Sequence, residues 1–242
     1  MDPTIRHAAF DLIVFDADDT LWESALYFER AEEDFLMLMR ALGMDTTGVR
    51  QLVHRRDIER LSLTGYGARP YLGTLKAVLE DLCPDRPPWA DKAFMEIGAA
   101  LLGHPVILLP GAEEALGWVS VSGLRALVYT MGEPDHQNDK FSRSGLDRLV
   151  AECVVVPEKT AKELERLFRE KHADPASCIV VGNSPRSDIN PALETGATAV
   201  LCARERLWQA EKEDILYPSR VNHIETLAEL PALVRSLLKA PI

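Results

Sequence analysis

Positive charge is scarce in this 242-residue chain, where 27 Lys and Arg stand against 38 Asp and Glu for a formal net charge of −11. Nucleic-acid backbones and anionic membranes reward clustered cations, so neither is expected as the main partner. A small phosphorylated metabolite stays open, because a local pocket and a metal ion can override a global negative field. Long apolar runs are also missing. No segment has the length of a transmembrane helix, and the opening MDPTIRHAAFD has no signal-peptide core, so a cytoplasmic protein is expected. The four cysteines form no CxxC pair, and Cys153, Cys178 and Cys202 fall in apolar runs, which points to reduced, buried thiols. No low-complexity tract and no internal repeat interrupts the chain.

Five short apolar runs are present: FDLIVFD (10–16), LRALVYT (124–130), ECVVVP (152–157), CIVVGN (178–183) and ATAVLCA (197–203). They are continuous rather than alternating, as in strands buried on both faces of a parallel sheet. Helical patterns separate the later ones: TAKELERLFREKH places Leu164, Leu167 and Phe168 on one face, and DINPALETG reads as a helix N-capped by Asp188 and stopped by Gly196. From residue 105 onward the rhythm therefore predicts an α/β, doubly wound, mainly parallel Rossmann-like sheet. Residues 24–102 read instead as about four amphipathic helices. The expected organisation is an α/β core domain of residues 1–21 and 105–242, with a helical cap domain of residues 22–104 inserted after the first strand.

The first apolar run ends in three acids within four residues, in AFDLIVFDADDTLWES. Carboxylates crowded together repel and raise one another's pKa, so a purely structural reason is hard to find unless a cation sits among them. Ligands of open α/β sheets bind at the carboxyl ends of the strands. The residues there are Asp16 and Asp18, then Thr130, then Lys159, then GNSPRSD with Asn183 and Asp188. An acid cluster, a hydroxyl beside a glycine in TMGE and a lysine at a helix start together suit a tetrahedral anion with a divalent cation.

These motifs resemble the haloacid dehalogenase (HAD) superfamily over nearly the whole chain, in the right order: DxDxT as Asp16, Asp18 and Thr20, a strand-end hydroxyl as Thr130, a lysine as Lys159, and the acidic pattern as GNSPRSD. The insert resembles the superfamily's helical C1 cap. The resemblance implies a Mg2+-dependent phosphatase acting on a small phosphomonoester. Asp16 would be the nucleophile, forming an aspartyl phosphate, and Asp18 the acid and base. Thr130, the Gly132 amide and Lys159 would hold phosphate oxygens, and Asp16, Asp18 through its backbone carbonyl, Asn183 and Asp188 would hold Mg2+. The dehalogenases of the family lack an acid where Asp18 stands, which favours ester hydrolysis. Asn183 departs from the pattern, offering a carbonyl but no charge.

In the insert, SLTGYGARPYLG suggests Tyr66 and Arg69 as substrate contacts, with a plain interhelix turn as the competing reading. Trp22 and Glu23 are further candidates to face the cleft. Asp19 is expected to be a solvated or helix-start acid, HRRD (54–57) a solvated helix face, Lys140 a surface lysine and His136 an ordinary loop residue. A phosphoglucomutase-like phosphotransferase and a noncatalytic phosphate-binding module are the alternative functions, and the cap helices leave a homodimer open.

Overall fold

The computed structural model describes residues 10–238. The opening segment and the outermost limits assigned to the core domain, residues 1–9 and 239–242, lie outside the described residues.

The described residues form one six-stranded sheet in the order β3-β2-β1-β4-β5-β6, with every neighbouring pair parallel. Its strands are β1 (Leu12–Phe15), β2 (Arg125–Met131), β3 (Cys153–Val156), β4 (Cys178–Gly182), β5 (Thr198–Cys202) and β6 (Val221–Ile224). All five apolar runs are strands. The sixth, VNHI, escapes a search for apolar runs because it is an edge strand carrying Asn222 and His223, and its inner edge needs only backbone pairing to β5.

The central strands are apolar on both sides because each side meets helices. Ile13, Phe15, Val128, Val181 and Val200 pack against α5 (Ala112–Ser122) and α9 (Leu230–Leu237), through residues such as Leu116, Val119, Leu230 and Val234. The alternate residues Leu12, Val14, Leu127, Tyr129 and Val180 pack against α7 (Ala161–Glu170) and α8 (Asn190–Thr195), on Leu164, Leu167, Phe168 and Leu193. Side chains alternate across a strand, so a run buried on both faces carries no polar position.

Between β1 and β2 the chain leaves the sheet to build α1 (Ala25–Ala41), α2 (Val49–Thr64), α3 (Ala68–Leu82) and α4 (Pro88–Leu102) before reaching α5. These four helices share an apolar cluster of their own around Phe35, Met39, Val53, Leu75, Val78 and Leu101. The two connectors run side by side: Glu23 N–H donates to Ile107 O and Leu109 N–H to Leu21 O, both at 2.9 Å. The strand order reverses about β1, so the crevice at the carboxyl ends of β1, β2 and β4 is where this topology leaves room for a ligand.

Candidate active site

Asp16 follows directly on β1 and stays in register, its N–H donating to Val181 O at 2.9 Å. Its side chain is buried beside Lys159, which donates to Asp16 Oδ1 and, at 2.8 Å, to Asp188 Oδ1. Lys159 is delivered here because Thr160 caps α7, its Oγ1 accepting from Glu163 N–H at 3.2 Å, so the preceding residue ends the β3 loop. Its ammonium also lies 5.6 Å from the centre of the Tyr129 ring.

Asp188 is not the N-cap expected from DINPALETG. It sits inside a single π turn, Pro185–Ile189, whose cap is Ser184, and Ser184 N–H donates to Asp188 Oδ2 at 3.0 Å. The π turn swings Asp188 back over the end of β4, onto Gly182. A Cβ built on Gly182 would meet the Asp188 carboxylate at 2.2 Å, so only glycine lets that acid reach Lys159.

Burial pushes the Asp16 carboxyl up to about 7, with Lys159 opposing and Asp188 adding to the rise. Burial likewise raises Asp188, and the two acids hold Lys159 firmly protonated against its own desolvation. Among the described residues nothing donates to Asp16 Oδ2. A buried carboxylate oxygen without a donor beside a second carboxylate and the carbonyl of Asn183 is a hard-oxygen donor set, which fits Mg2+. No three His, Cys, Asp or Glu of the described residues converge as a ready-made cation cage. Asn183 Oδ1 accepts from Thr20 Oγ1 at 3.4 Å, which orients the amide.

Asp18 is surrounded differently. Lys140 donates to both its oxygens at 2.5 and 2.8 Å, Gln137 Nε2 to Oδ2 at 2.8 Å and Trp22 Nε1 to Oδ1 at 2.7 Å. Burial alone would raise this carboxyl, but the Lys140 charge and the donated hydrogen bonds win and hold it down at about 2. The surface position expected for Lys140 is therefore wrong: its side chain is 3% exposed. It lies on α6 (Pro134–Ser144), whose inward face is His136, Gln137, Lys140 and Phe141. His136 is buried in that helix as well, not in a loop, and burial lowers its pKa. Trp22 is fully buried, its indole committed to Asp18, and Glu23 pairs with Arg204 at 3.2 Å.

Thr130 ends the buried part of β2, and its Oγ1 accepts from Gln137 Nε2 at 2.9 Å. The Gly132 N–H, expected to hold phosphate, instead donates to Val156 O at 3.3 Å, since β2 and β3 continue pairing past Met131. Asp19 is a helix-start acid: at φ 62° it turns back so that Ser24 and Ala25 N–H donate to its Oδ1, both at 2.9 Å. It is not solvated, and burial, against those two amides, raises it to about 7.

A cavity of about 480 Å³ joins these groups to the insert, lined from the sheet by Asp16, Asp18, Thr130, Gly132, Lys159, Asn183 and Asp188. Tyr66 lines the opposite wall, edge-on to Trp208 with ring centres 5.9 Å apart. Arg69 does not line it. More than half exposed, Arg69 spends its guanidinium on Glu133 at 2.7 Å, while its N–H donates to the other Glu133 oxygen at 3.0 Å, so the β2–α6 loop caps α3. That approach uses the missing side chain of Gly67 (φ 132°), whose Cβ would meet Glu133 at 2.7 Å. Half of HRRD also turns inward. His54 donates to Glu32 at 2.6 Å, Asp57 is buried and accepts from Thr74 at 3.1 Å, and all but Thr74 line the cavity.

Three of the groups that shape the site were not read from the sequence as such, Lys140, Gln137 and Glu211, and Trp22, expected to face the cleft, acts from behind it through Asp18. Glu211 is buried on the segment after β5, its Oε2 accepting from Ser184 at 2.5 Å and from Ser187, and it thereby holds the π turn. The HQNDK spacing, positions i, i+1 and i+4 of a helix starting at Pro134, was the one available signal for α6. Nothing local marks Glu211.

The haloacid dehalogenase-like hydrolase family signature matches residues 10–196, well over half the chain, so this protein belongs to that family and is an enzyme. No curated protein matches it. Among solved structures, a haloacid dehalogenase-like family hydrolase from Xanthomonas campestris is 28% identical with a TM-score of 0.81, over 95% of this chain and 92% of that one. A predicted phosphoglycolate phosphatase from Haemophilus somnus is 17% identical, TM-score 0.61, over 93% and 98% of the two chains. The L-2-haloacid dehalogenase from Xanthobacter autotrophicus with chloropropionic acid covalently bound is 16% identical, TM-score 0.63, also over 93% and 98%. The last two share the fold, and they sit on opposite sides of the choice between phosphate ester and halide.

Proposed function

We propose that this hydrolase cleaves a small phosphomonoester through an aspartyl phosphate on Asp16, with Mg2+ as cofactor. The single observation that carries the reading is Asp16 Oδ2, a buried carboxylate oxygen left without a donor while its partner oxygen is pinned by Lys159. One oxygen is held and the other is available for attack on phosphorus. Asp16, Asp188, Asn183 and the Asp18 backbone carbonyl would hold Mg2+, the Asp18 side chain being taken by other donors. When bound, the ion supplies charge neutralisation for the nucleophile and the phosphoryl oxygens.

The chain's own groups divide the remaining work. Lys159 neutralises Asp16 and faces the incoming dianion, and Thr130 Oγ1, which accepts from Gln137, keeps its hydroxyl proton for a phosphoryl oxygen. As the Asp16–phosphorus bond forms, the bond to the leaving oxygen breaks, and Asp18 gives that oxygen a proton. It takes one back from the water that hydrolyses the acyl phosphate, so its charge is restored over the cycle. Between turnovers Asp18 is charged; it takes a proton from solvent as a dianionic phosphate enters and raises its pKa, and returns one to solvent as the product phosphate leaves. The cavity walls contributed by α1 to α3 would close over the leaving group.

A second reading, hydrolysis of a 2-haloacid, is favoured by one observation: Asp18 receives four hydrogen-bond contacts from three donors and is not poised to give a proton, and halide departure needs none. The test is release of phosphate from p-nitrophenyl phosphate and a panel of phosphorylated metabolites, and of chloride from 2-chloropropionate, each with Mg2+ and with EDTA, for the wild type and Asp16→Asn. Mg2+-dependent phosphate release lost in Asp16→Asn is expected. Asp16-dependent chloride release without phosphate release would replace the reading with the second one.

A further inference from the structure

An ionised carboxylate offers about four lone-pair sites, and the Asp18 side chain receives four donated contacts, two from Lys140 and one each from Gln137 and Trp22. Although the Asp18 side chain is 28% exposed to the cavity, its lone-pair sites are taken by this count, so one donor has to let go before Asp18 can act on a leaving oxygen or a water. The three donors differ in how easily they do so. Among the described residues Trp22 Nε1 has Asp18 as its sole acceptor, and Lys140 is a buried cation whose salt bridge is to Asp18. Withdrawing either would strand a buried polar or charged group. Gln137 Nε2 also lies 2.9 Å from Thr130 Oγ1 and 2.7 Å from Met131 O, so three acceptors share its two protons. It can drop Asp18 and remain hydrogen-bonded.

We infer that Lys140 and Gln137 are positioning residues for Asp18: Lys140 is its fixed anchor, and Gln137 is the exchangeable donor that links occupation of Thr130 to release of Asp18 Oδ2. This rests on the phosphatase reading, in which Thr130 receives a phosphoryl oxygen. A phosphoryl group on Thr130 competes for the same amide, draws Gln137 away and opens one Asp18 oxygen on the side of the bound substrate. The carboxylate then turns by a small amount about a lysine that does not move. The linkage has a local cause in α6. Gln137 and Lys140, three residues apart, share its inward face, so a change at one is felt at the other through the single carboxylate they both hold.

The test is a kinetic double-mutant cycle with p-nitrophenyl phosphate and the best substrate of the panel, using wild type, Lys140→Met, Asp18→Asn and the double variant, with Gln137→Leu alongside. Lys140→Met is expected to lower kcat by about 10- to 100-fold while KM stays within about twofold, because the anchor acts through a proton-transferring group rather than on binding. In the Asp18→Asn background the same substitution is expected to change kcat by less than about twofold. A Lys140 that only supports the fold would give the same factor in both backgrounds, and that result, or near-wild-type turnover of Lys140→Met, overturns the inference. If Lys140→Met melts below the assay temperature, Gln137→Leu in both backgrounds decides by the same criterion. Wild-type enzyme that releases chloride and no phosphate overturns the phosphatase reading alone. The cycle is then run on chloride release, where additivity again overturns the positioning role and non-additivity retains it.

Discussion

Asp16 and Asp18 leave the same strand end two residues apart, and each meets a buried lysine, yet the two sides of the site are finished in opposite ways. On the β4 side, Lys159 is shared between Asp16 and Asp188, and one oxygen of Asp16 is left without a donor. On the α6 side, Lys140 serves Asp18 alone, with Gln137 and Trp22 completing its shell. Two acids sharing one cation leave a surplus of negative charge, and burial pushes Asp16 up to about 7; one acid with a cation and two further donors is held at about 2. On the reading proposed above, attack falls to the side with an open oxygen and proton handling to the side with an occupied one.

The comparison breaks most completely at the nucleophile. Asp16→Asn is expected to lower turnover by about 1000-fold or more, since no other carboxylate can form the covalent intermediate, and steady-state phosphate release checks it. Lys159→Met is expected to cost about 100-fold or more in kcat. It should also lower the urea midpoint markedly, because Asp16 and Asp188 are left facing one another without a cation.

A subtler break is Gly182→Ala, whose new methyl would overlap the Asp188 carboxylate. The acid must move, and the expected outcome is a rise of about tenfold or more in the Mg2+ concentration for half-maximal activity, read by metal titration of the rate. Smaller again is Glu211→Gln, which keeps the size of the group that organises Ser184 and Ser187 but removes its charge. About a tenfold loss of Mg2+ affinity is expected, with the melting temperature changed by only a few degrees. If Gly182→Ala and Glu211→Gln instead acted on substrate KM alone, the assignment of the β4 side to the cation would fall.

In the insert wall of the same cavity the expected effect is on stability rather than on turnover. Asp57 is buried against Thr74, and burial raises its pKa to about 6. The folded protein therefore keeps a proton that the unfolded chain has already released between about pH 4 and 6, so this group's contribution to stability falls as pH rises through that window and is level above it. Asp57→Asn should remove that slope, a difference on the order of 2 kcal/mol between urea melts at pH 4.5 and 7. An unchanged slope would show that Asp57 is hydrated in solution.

Much of the frame was legible because it depends on local pattern. The apolar runs 10–16 and 178–183 mark the central strands, and placing Asp16, Thr130, Lys159 and Asp188 at strand ends follows from topology without any distance. Several misreadings share one cause: polar residues expected to be solvated turned inward. Lys140 and Asp57 have no apolar stripe to betray burial, because their partners, Asp18 and Thr74, are polar groups on other segments, and Asp19 is held by the nearby amides of Ser24 and Ala25. Asp18 and Lys140 are 122 residues apart, and Gln137 reaches Asp18 across 119. Arg69 failed in the other direction, drawn off by Glu133, a loop residue that reads as nothing in particular in the sequence.

By itself, then, the order of amino acids determined the layered fold and the set of groups gathered at the carboxyl end of the sheet. Strand burial, helix periodicity and the position of a residue at a strand end are properties of short segments. Only the tertiary structure decided which carboxylate is open and which is saturated, that Lys140 belongs to the site, and that Glu211 holds the π turn carrying Asp188. Those outcomes turn on hydrogen bonds a few ångströms long between segments distant in sequence, where burial sets the strength of every pairing and the cost of every oxygen left without one.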